Sequence, residues 1–176
     1  MFMSKTNRQV AKSAGRRPPR TLKVTGAFLA CALGAWATQT ARATPPSRFT
    51  ATNIAGPVML DDIHTVLETP GYGAMLKTRG QSDVYITRLT IGPGGHGGWH
   101  SHPGPSIITV KSGTATFYDE CNDFVPQVYP AGTGFVEDAG CVHLLANEGG
   151  VDLEVVVMQI VPRGAPRRID EPNPFE

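Results

Sequence analysis

GGHGGWHSHPGPSIITVKSG, residues 94–113, is the stretch whose reading decides the fold. Its centre is His100-Ser101-His102. Side chains two apart on an extended strand project from the same face, so both imidazoles can point into one interior and approach one ion. Gly97-Gly98 precede the pair and Pro103-Gly104-Pro105 follow it, which marks a short extended unit between turns. The run Ser106 to Lys111 after the second turn is rich in Ile and Val, a β-type segment. Imidazole suits Zn, Cu, Fe and Ni, and a third histidine from a neighbouring strand would complete a facial set with open positions. His143, in GTGFVEDAGCVHLLAN (residues 132–147), is the candidate for that third position.

Working outward, short β-type runs are spaced closely along the rest of the chain: Ile63 to Leu67, Ala74 to Thr78, Val84 to Ile91, Thr114 to Tyr118, Val125 to Tyr129, Gly134 to Glu137, Val142 to Ala146 and Val151 to Val161. Turn signals such as Pro70-Gly71, Gly92-Pro93-Gly94-Gly95, Ser112-Gly113 and Gly149-Gly150 separate them. No helix-length stretch of 3.6-residue periodicity follows residue 44. This pattern predicts an all-β sandwich or barrel. Residues 44–56, rich in Pro, Thr and Ala, read as a flexible N-terminal arm, residues 57–161 as the β domain, and residues 162–176, with four prolines, as an extended tail.

The spacing around the histidines resembles the cupin family. Gly94, His100, His102 and Gly113 stand at the intervals of the first cupin motif, and Gly132, Gly140, His143 and Asn147 at those of the second. Two positions depart from the usual identities. Ser106 stands where cupins carry a Glu ligand, and Asp138 where they usually carry Pro. The resemblance covers about residues 84–161 and implies a small antiparallel jelly-roll β-barrel with a metal inside. It also implies His100, His102 and His143 as ligands, with Fe, Mn, Ni, Cu or Zn as the ion. A homodimer is implied in the same way. Because Ser106 is a poor ligand, the centre reads as a three-His site, and uncompensated charge on a divalent ion favours an anionic ligand in an open position. An acid from elsewhere, such as Glu137 or Glu148, is an alternative that spacing does not select.

His96 lies among glycines and reads as an exposed loop residue; His64, outside both motifs, reads as structural. Trp99 alternates with His100 and should face the other side of the sheet. Phe117 reads as core, and Tyr118 beside it as a candidate for proton transfer.

The near-neutral net charge of +1 hides an asymmetry. The first 43 residues carry eight Lys and Arg and no acid, leaving eight basic against fifteen acidic residues, a net charge of −7, in residues 44–176. An acidic body has no electrostatic footprint for phosphate backbones, which argues against nucleic-acid binding. The basic head is followed by VTGAFLACALGAWAT, residues 24–38, and then by Ala41-Arg42-Ala43, the order of a secretory signal peptide. Residues 1–43 are therefore expected to be removed, giving an exported, periplasmic or secreted chain from Thr44 without a stable membrane anchor. Export leaves two cysteines, Cys121 and Cys141, and predicts a disulfide between them. The alternatives are two buried thiols, or a Cys141 thiolate ligand two residues before His143. The functions in view are an oxygen-dependent, dioxygenase-like metalloenzyme acting on a small molecule, a non-catalytic metal or small-molecule binder, and a metal-free barrel.

Overall fold

A computed structural model describes residues 42–176. The expected signal segment, residues 1–43, lies outside them except for its last two positions. Among the described residues there are twelve strands and one short 3-10 turn at Glu120–Asn122. The strands are β1 Ser47–Leu60, β2 His64–Thr69, β3 Tyr72–Lys77, β4 Ser82–His96, β5 His100–Ser101, β6 Ser106–Ser112, β7 Thr114–Asp119, β8 Gln127–Pro130, β9 Gly134–Glu137, β10 His143–Ala146, β11 Leu153–Pro162 and β12 Ile169–Asp170. Ten of them form one antiparallel, nearly closed jelly-roll barrel with the path β12-β5-β10-β4-β11-β6-β9; β1 adds to β4, and β7 joins β10 to β8. The all-β, cupin-type barrel expected from the sequence is the observed fold.

The barrel follows from period-two patterning. On β11, Leu153, Val155 and Val157 are buried, while Glu154, Val156 and Met158 between them are half-buried. On β6, Ser106, Ile108 and Val110 point inward and Ile107, Thr109 and Lys111 outward. Because side chains alternate along a strand, the inward sets of facing strands meet in one core. That core contains Ile91, Ile108, Val110, Phe117, Leu145 and Leu153, with Phe49, Leu89, Tyr129 and Phe135 packed against it.

Two glycines are fixed by the packing around them. Gly113 has φ of +76°, and a Cβ there would stand 2.7 Å from the Asp152 carbonyl oxygen. A Cβ at Gly104 would stand 2.0 Å from the Ile160 carbonyl oxygen, so only a bare backbone can pass that close. Asn147 ties the two histidine-bearing segments together. Its buried amide donates to the carbonyls of Ile91 and Val151, and its backbone N–H donates to Gly95.

Three segments differ from the sequence reading. Residues 47–56, read as a flexible arm, are the first part of β1, which pairs with β4 through register shifts at three places. The strand is mostly exposed and held by backbone ladder bonds, so it carries no apolar alternation for a sequence reading to detect. Residues 162–176 are not an extended tail: β12 pairs with β5, and Pro172 bridges to Ala43. The hairpin β2–β3 was expected as strands, but it is a separate two-stranded sheet with every residue exposed, His64 included.

Leu153→Ala removes a fully buried side chain from the barrel centre, whereas Val151→Ala changes a residue that is 66% exposed. Denaturant unfolding should show the first destabilised by about 2–5 kcal/mol and the second within about 0.5 kcal/mol of the parent.

Candidate metal centre

The three histidines converge because two registers and one alternation place them. His100 and His102 are two apart on one extended segment and project to one side. His143 is the direct cross-strand partner of His100 in the β5–β10 pair. The ring centroids are 4.4 Å apart for His100 and His143, 4.8 Å for His100 and His102, and 5.0 Å for His102 and His143. One donor nitrogen from each ring lies within 4.8 Å of the other two. All three residues are buried, His143 completely.

The rings are held in one tautomer by the backbone. Nδ1 of His100 donates to the Gly98 carbonyl at 2.8 Å, Nδ1 of His143 to the Cys141 carbonyl at 2.9 Å, and Nδ1 of His102 to the Arg167 carbonyl at 2.6 Å. The Gln159 amide nitrogen donates to the same Arg167 oxygen and lies 2.8 Å from His102 Nδ1, so two N–H groups share one acceptor. The amide is oriented by Arg167, whose Nε donates to Gln159 Oε1. With every Nδ1 turned to a backbone carbonyl, each Nε2 is left to take a cation, either a proton shared with Glu137 or a metal ion. This is how second-shell carbonyls prepare imidazoles for a metal. Nε2 of His143 is buried with no hydrogen-bond partner.

A carboxylate borders two of the three rings. Glu137 is 4% exposed; its Oε2 lies 3.3 Å from His102 Nε2 and its Oε1 3.8 Å from His143 Nε2. It reaches the site because Glu137 on β9 is the direct register partner of Ser106 on β6, and both face inward. Adjacent inward side chains on paired strands are neighbours, so the carboxylate occupies the space the short Ser106 side chain leaves. The Ser106 hydroxyl itself is fully buried beside Glu137 and helps hold its carboxyl below the ordinary value. Glu148, the other acid considered, is exposed and accepts from the Tyr118 hydroxyl at 2.5 Å, away from the histidines. Sequence reasoning named Glu137 without a reason to choose it; the reason is cross-strand register.

Burial works against the charged form at two of the three rings. Burial pushes His100 down to about 2, helped by the positive charges of His143, Arg168 and His102 against the hydrogen bond to Gly98. Burial is also the main cause that lowers His143, opposed by the Glu137 charge. Burial alone raises the Glu137 carboxyl, but the His102 hydrogen bond and the charges of His143 and His102 together hold it below its ordinary value. The residues fit a divalent ion: three buried imidazoles with converging donor nitrogens, one Nε2 orphaned, and an interior carboxylate that pairs with no Lys or Arg among the described residues.

His100 and His102 also line a cavity of about 290 Å³. Its apolar wall is Phe49, Ala51, Leu89 and Val157, and its polar side includes Thr87, Gln159, Arg167 and Arg168. Trp99 turns the other way, as alternation requires, and packs against Phe124, Phe175 and Tyr118. Tyr118 is therefore remote from the cluster, while Phe117 is core at 2% exposure. His96, half-buried, accepts from Gly98 N–H through Nδ1 and is not among the converging nitrogens. Cys121 and Cys141 lie at bonding distance with Cα atoms 5.8 Å apart, which keeps Cys141 out of the ligand set.

Residues 87–159 match the family described as "Cupin domain". Germin-like protein 3-8 of Oryza sativa subsp. japonica is 36% identical over 76 residues, 42% of this chain and 34% of that protein, so the chain spans about a third of that relative's length. Among solved structures, the polyketide cyclase RemF from Streptomyces resistomycificus is similar in fold, with 15% identity, 73% of this chain and 75% of that one covered, and a TM-score of 0.51. An uncharacterised double-stranded β-helix protein from Klebsiella pneumoniae has 24% identity, covers 63% of this chain and 85% of that one, and has a TM-score of 0.43.

Below pH 6.5 an unfolded chain protonates its histidines, whereas folded His100 stays neutral down to about 2. The unfolded state then binds more protons, so the metal-free protein should lose stability as pH falls from 6.5, by at most about 1.4 kcal/mol per pH unit for each such histidine. Denaturation between pH 7 and pH 5 should show a shallower slope for His100→Asn than for the parent.

Proposed function

Because the chain belongs to the cupin family, we propose that it is an exported metalloprotein in which His100, His102 and His143 hold one divalent ion, with Glu137 as a fourth donor. The further reading is a dioxygenase-like enzyme acting on a small molecule. The observation that carries the metal reading is the common tautomer: three Nδ1–H groups bonded to backbone carbonyls, with three Nε2 lone pairs left facing one another and a buried carboxylate. Like dipoles aimed at one point in a dry interior are unfavourable unless a cation shares them.

A redox-active ion bound there would supply the one-electron chemistry that dioxygen requires, and a divalent ion of any kind would polarise a substrate oxygen. The rest is the work of the chain. Gly98, Cys141 and Arg167 keep the imidazoles oriented through their carbonyls. Glu137 brings one negative charge, which lowers the net charge of a divalent centre without cancelling it. The apolar wall of Phe49, Leu89 and Val157 keeps water from crowding a bound molecule. The cavity lies on the side of His100 and His102, whereas Glu137 and His143 are not part of its lining, so a small molecule would meet the centre over the first two rings.

A second reading, a non-catalytic binder of metal or a small molecule, is favoured by one observation. Tyr118, the sequence candidate for proton transfer, faces the opposite side and bonds Glu148. Oxygen uptake with a panel of phenols, thiols and diketones separates the two readings.

Elemental analysis of the purified protein should find about one divalent ion per chain, little or none in His100→Ala or His143→Ala, and binding weakened at least about tenfold in Glu137→Gln. Parent protein with no metal above control overturns the metal reading. Export and the Cys121–Cys141 bridge belong to the same proposal. The secreted form should begin near Thr44, and its mass should rise by two hydrogens on reduction.

A further inference from the structure

Arg167 is a half-buried guanidinium whose partners are all neutral. Its Nε donates to the Gln159 amide oxygen, its Nη2 to the Thr87 hydroxyl, and its plane lies 4.2 Å from the centre of the Tyr85 ring. Among the described residues no carboxylate pairs with it, although Arg88 pairs with Glu154 and Arg168 with Asp170. A guanidinium taken partly out of water ordinarily finds an anion, because its desolvation is otherwise uncompensated. Here the fork is fixed by Gln159, Thr87 and Tyr85, so little freedom remains to be lost when an anion arrives.

The location says what the anion belongs to. Arg167 lines the same cavity as His100 and His102, and Phe49, Leu89 and Val157 form its apolar wall. Arg168, whose Nη2 is buried without a partner, lines it too, its charge shared with Asp170 through Nε. About 290 Å³ is at the small end for ligand cavities, room for one small molecule. Apolar walls disfavour a bare inorganic anion, whose hydration they would remove without replacement.

We propose that this cavity binds a small organic carboxylate, with the carboxylate on Arg167 and the apolar body against Phe49, Leu89 and Val157, beside His100 and His102. It names a substrate class for the centre and rests on the metal reading for what happens to that substrate, not for how it is bound. The signal was hidden from the sequence because Arg167 lies in a Pro-rich segment whose return to the barrel depends on β12 pairing with β5.

The test uses the full mature protein loaded with metal, with metal content measured in every sample. Benzoate is compared by calorimetry with benzamide, which has nearly the same shape and no charge, and with inorganic phosphate, which has charge and no apolar body. The parent should prefer benzoate to benzamide by about ten- to hundredfold, the range expected for hydrogen bonds to a charged group. Compared at equal metal loading, Arg167→Gln should abolish that preference, and Arg167→Lys should restore part of it. Thr87→Val, which frees the guanidinium without removing it, should weaken benzoate and leave benzamide alone; it serves if Arg167→Gln does not fold. Equal affinity for benzoate and benzamide, or an unchanged preference in Arg167→Gln, overturns the proposal. Phosphate binding as tight as benzoate overturns the organic part of it. A benzoate preference found in a parent protein that takes up no metal supports this site and sinks the metal reading, so the two fail separately.

Discussion

Three contacts from Nδ1 to backbone carbonyls orient the buried histidines on which the rest of the site depends. They set which nitrogen of each imidazole is protonated and so aim three lone pairs at one another, beside the Glu137 carboxylate. Each such bond is worth about 1 kcal/mol net, whereas leaving a charged group buried and unpaired costs several kcal/mol. The backbone bonds can orient the cluster but cannot offset its burial. Only a shared cation, a metal ion or a proton, answers that imbalance, and the imidazole donors suit the metal ion.

The carboxylate shows how a barrel can keep a donor set while changing the strand that supplies it. Ser106 and Glu137 are opposite one another in the β6–β9 pair, with both side chains inward. Shortening one member of such a pair opens room that only its cross-strand neighbour is placed to fill. A serine at the position where cupins carry a glutamate therefore does not make the interior neutral. The cost is rigidity: β9 is only four residues long, and Glu137 is its last.

Much of the fold was legible because it rests on local rules. Period-two runs on β4, β6 and β11 and the turns between them specify strands without knowledge of their partners. The His100–His102 spacing specifies a common face, and with His143 it was enough to locate the histidine cluster. What could not be read depends on pairing across the chain. β1 is a mostly exposed strand of Thr, Ala and Pro character, held by ladder bonds to β4, and it has no apolar rhythm. Glu137 is one acid among fifteen until register sets it against Ser106. Arg167 gives no signal at all, since it contributes through its carbonyl and through a guanidinium brought in by a segment whose prolines suggest an open tail.

That last segment joins stability to chemistry. The Arg167 carbonyl fixes His102, its side chain lines the cavity, and two residues later β12 pairs with β5, where Asp170 opposes His100. β5, which carries His100 and leads into His102, thus lies between β10, which brings the third histidine, and β12, which directly follows the cavity's arginines. β5 has only two residues and too few contacts of its own to hold its rings in place. Its geometry comes from its neighbours, so any motion of the closing segment changes His102 orientation and cavity charge together. Orientation of the centre and recognition of what enters beside it are therefore not independent properties of this barrel, because one backbone segment determines both.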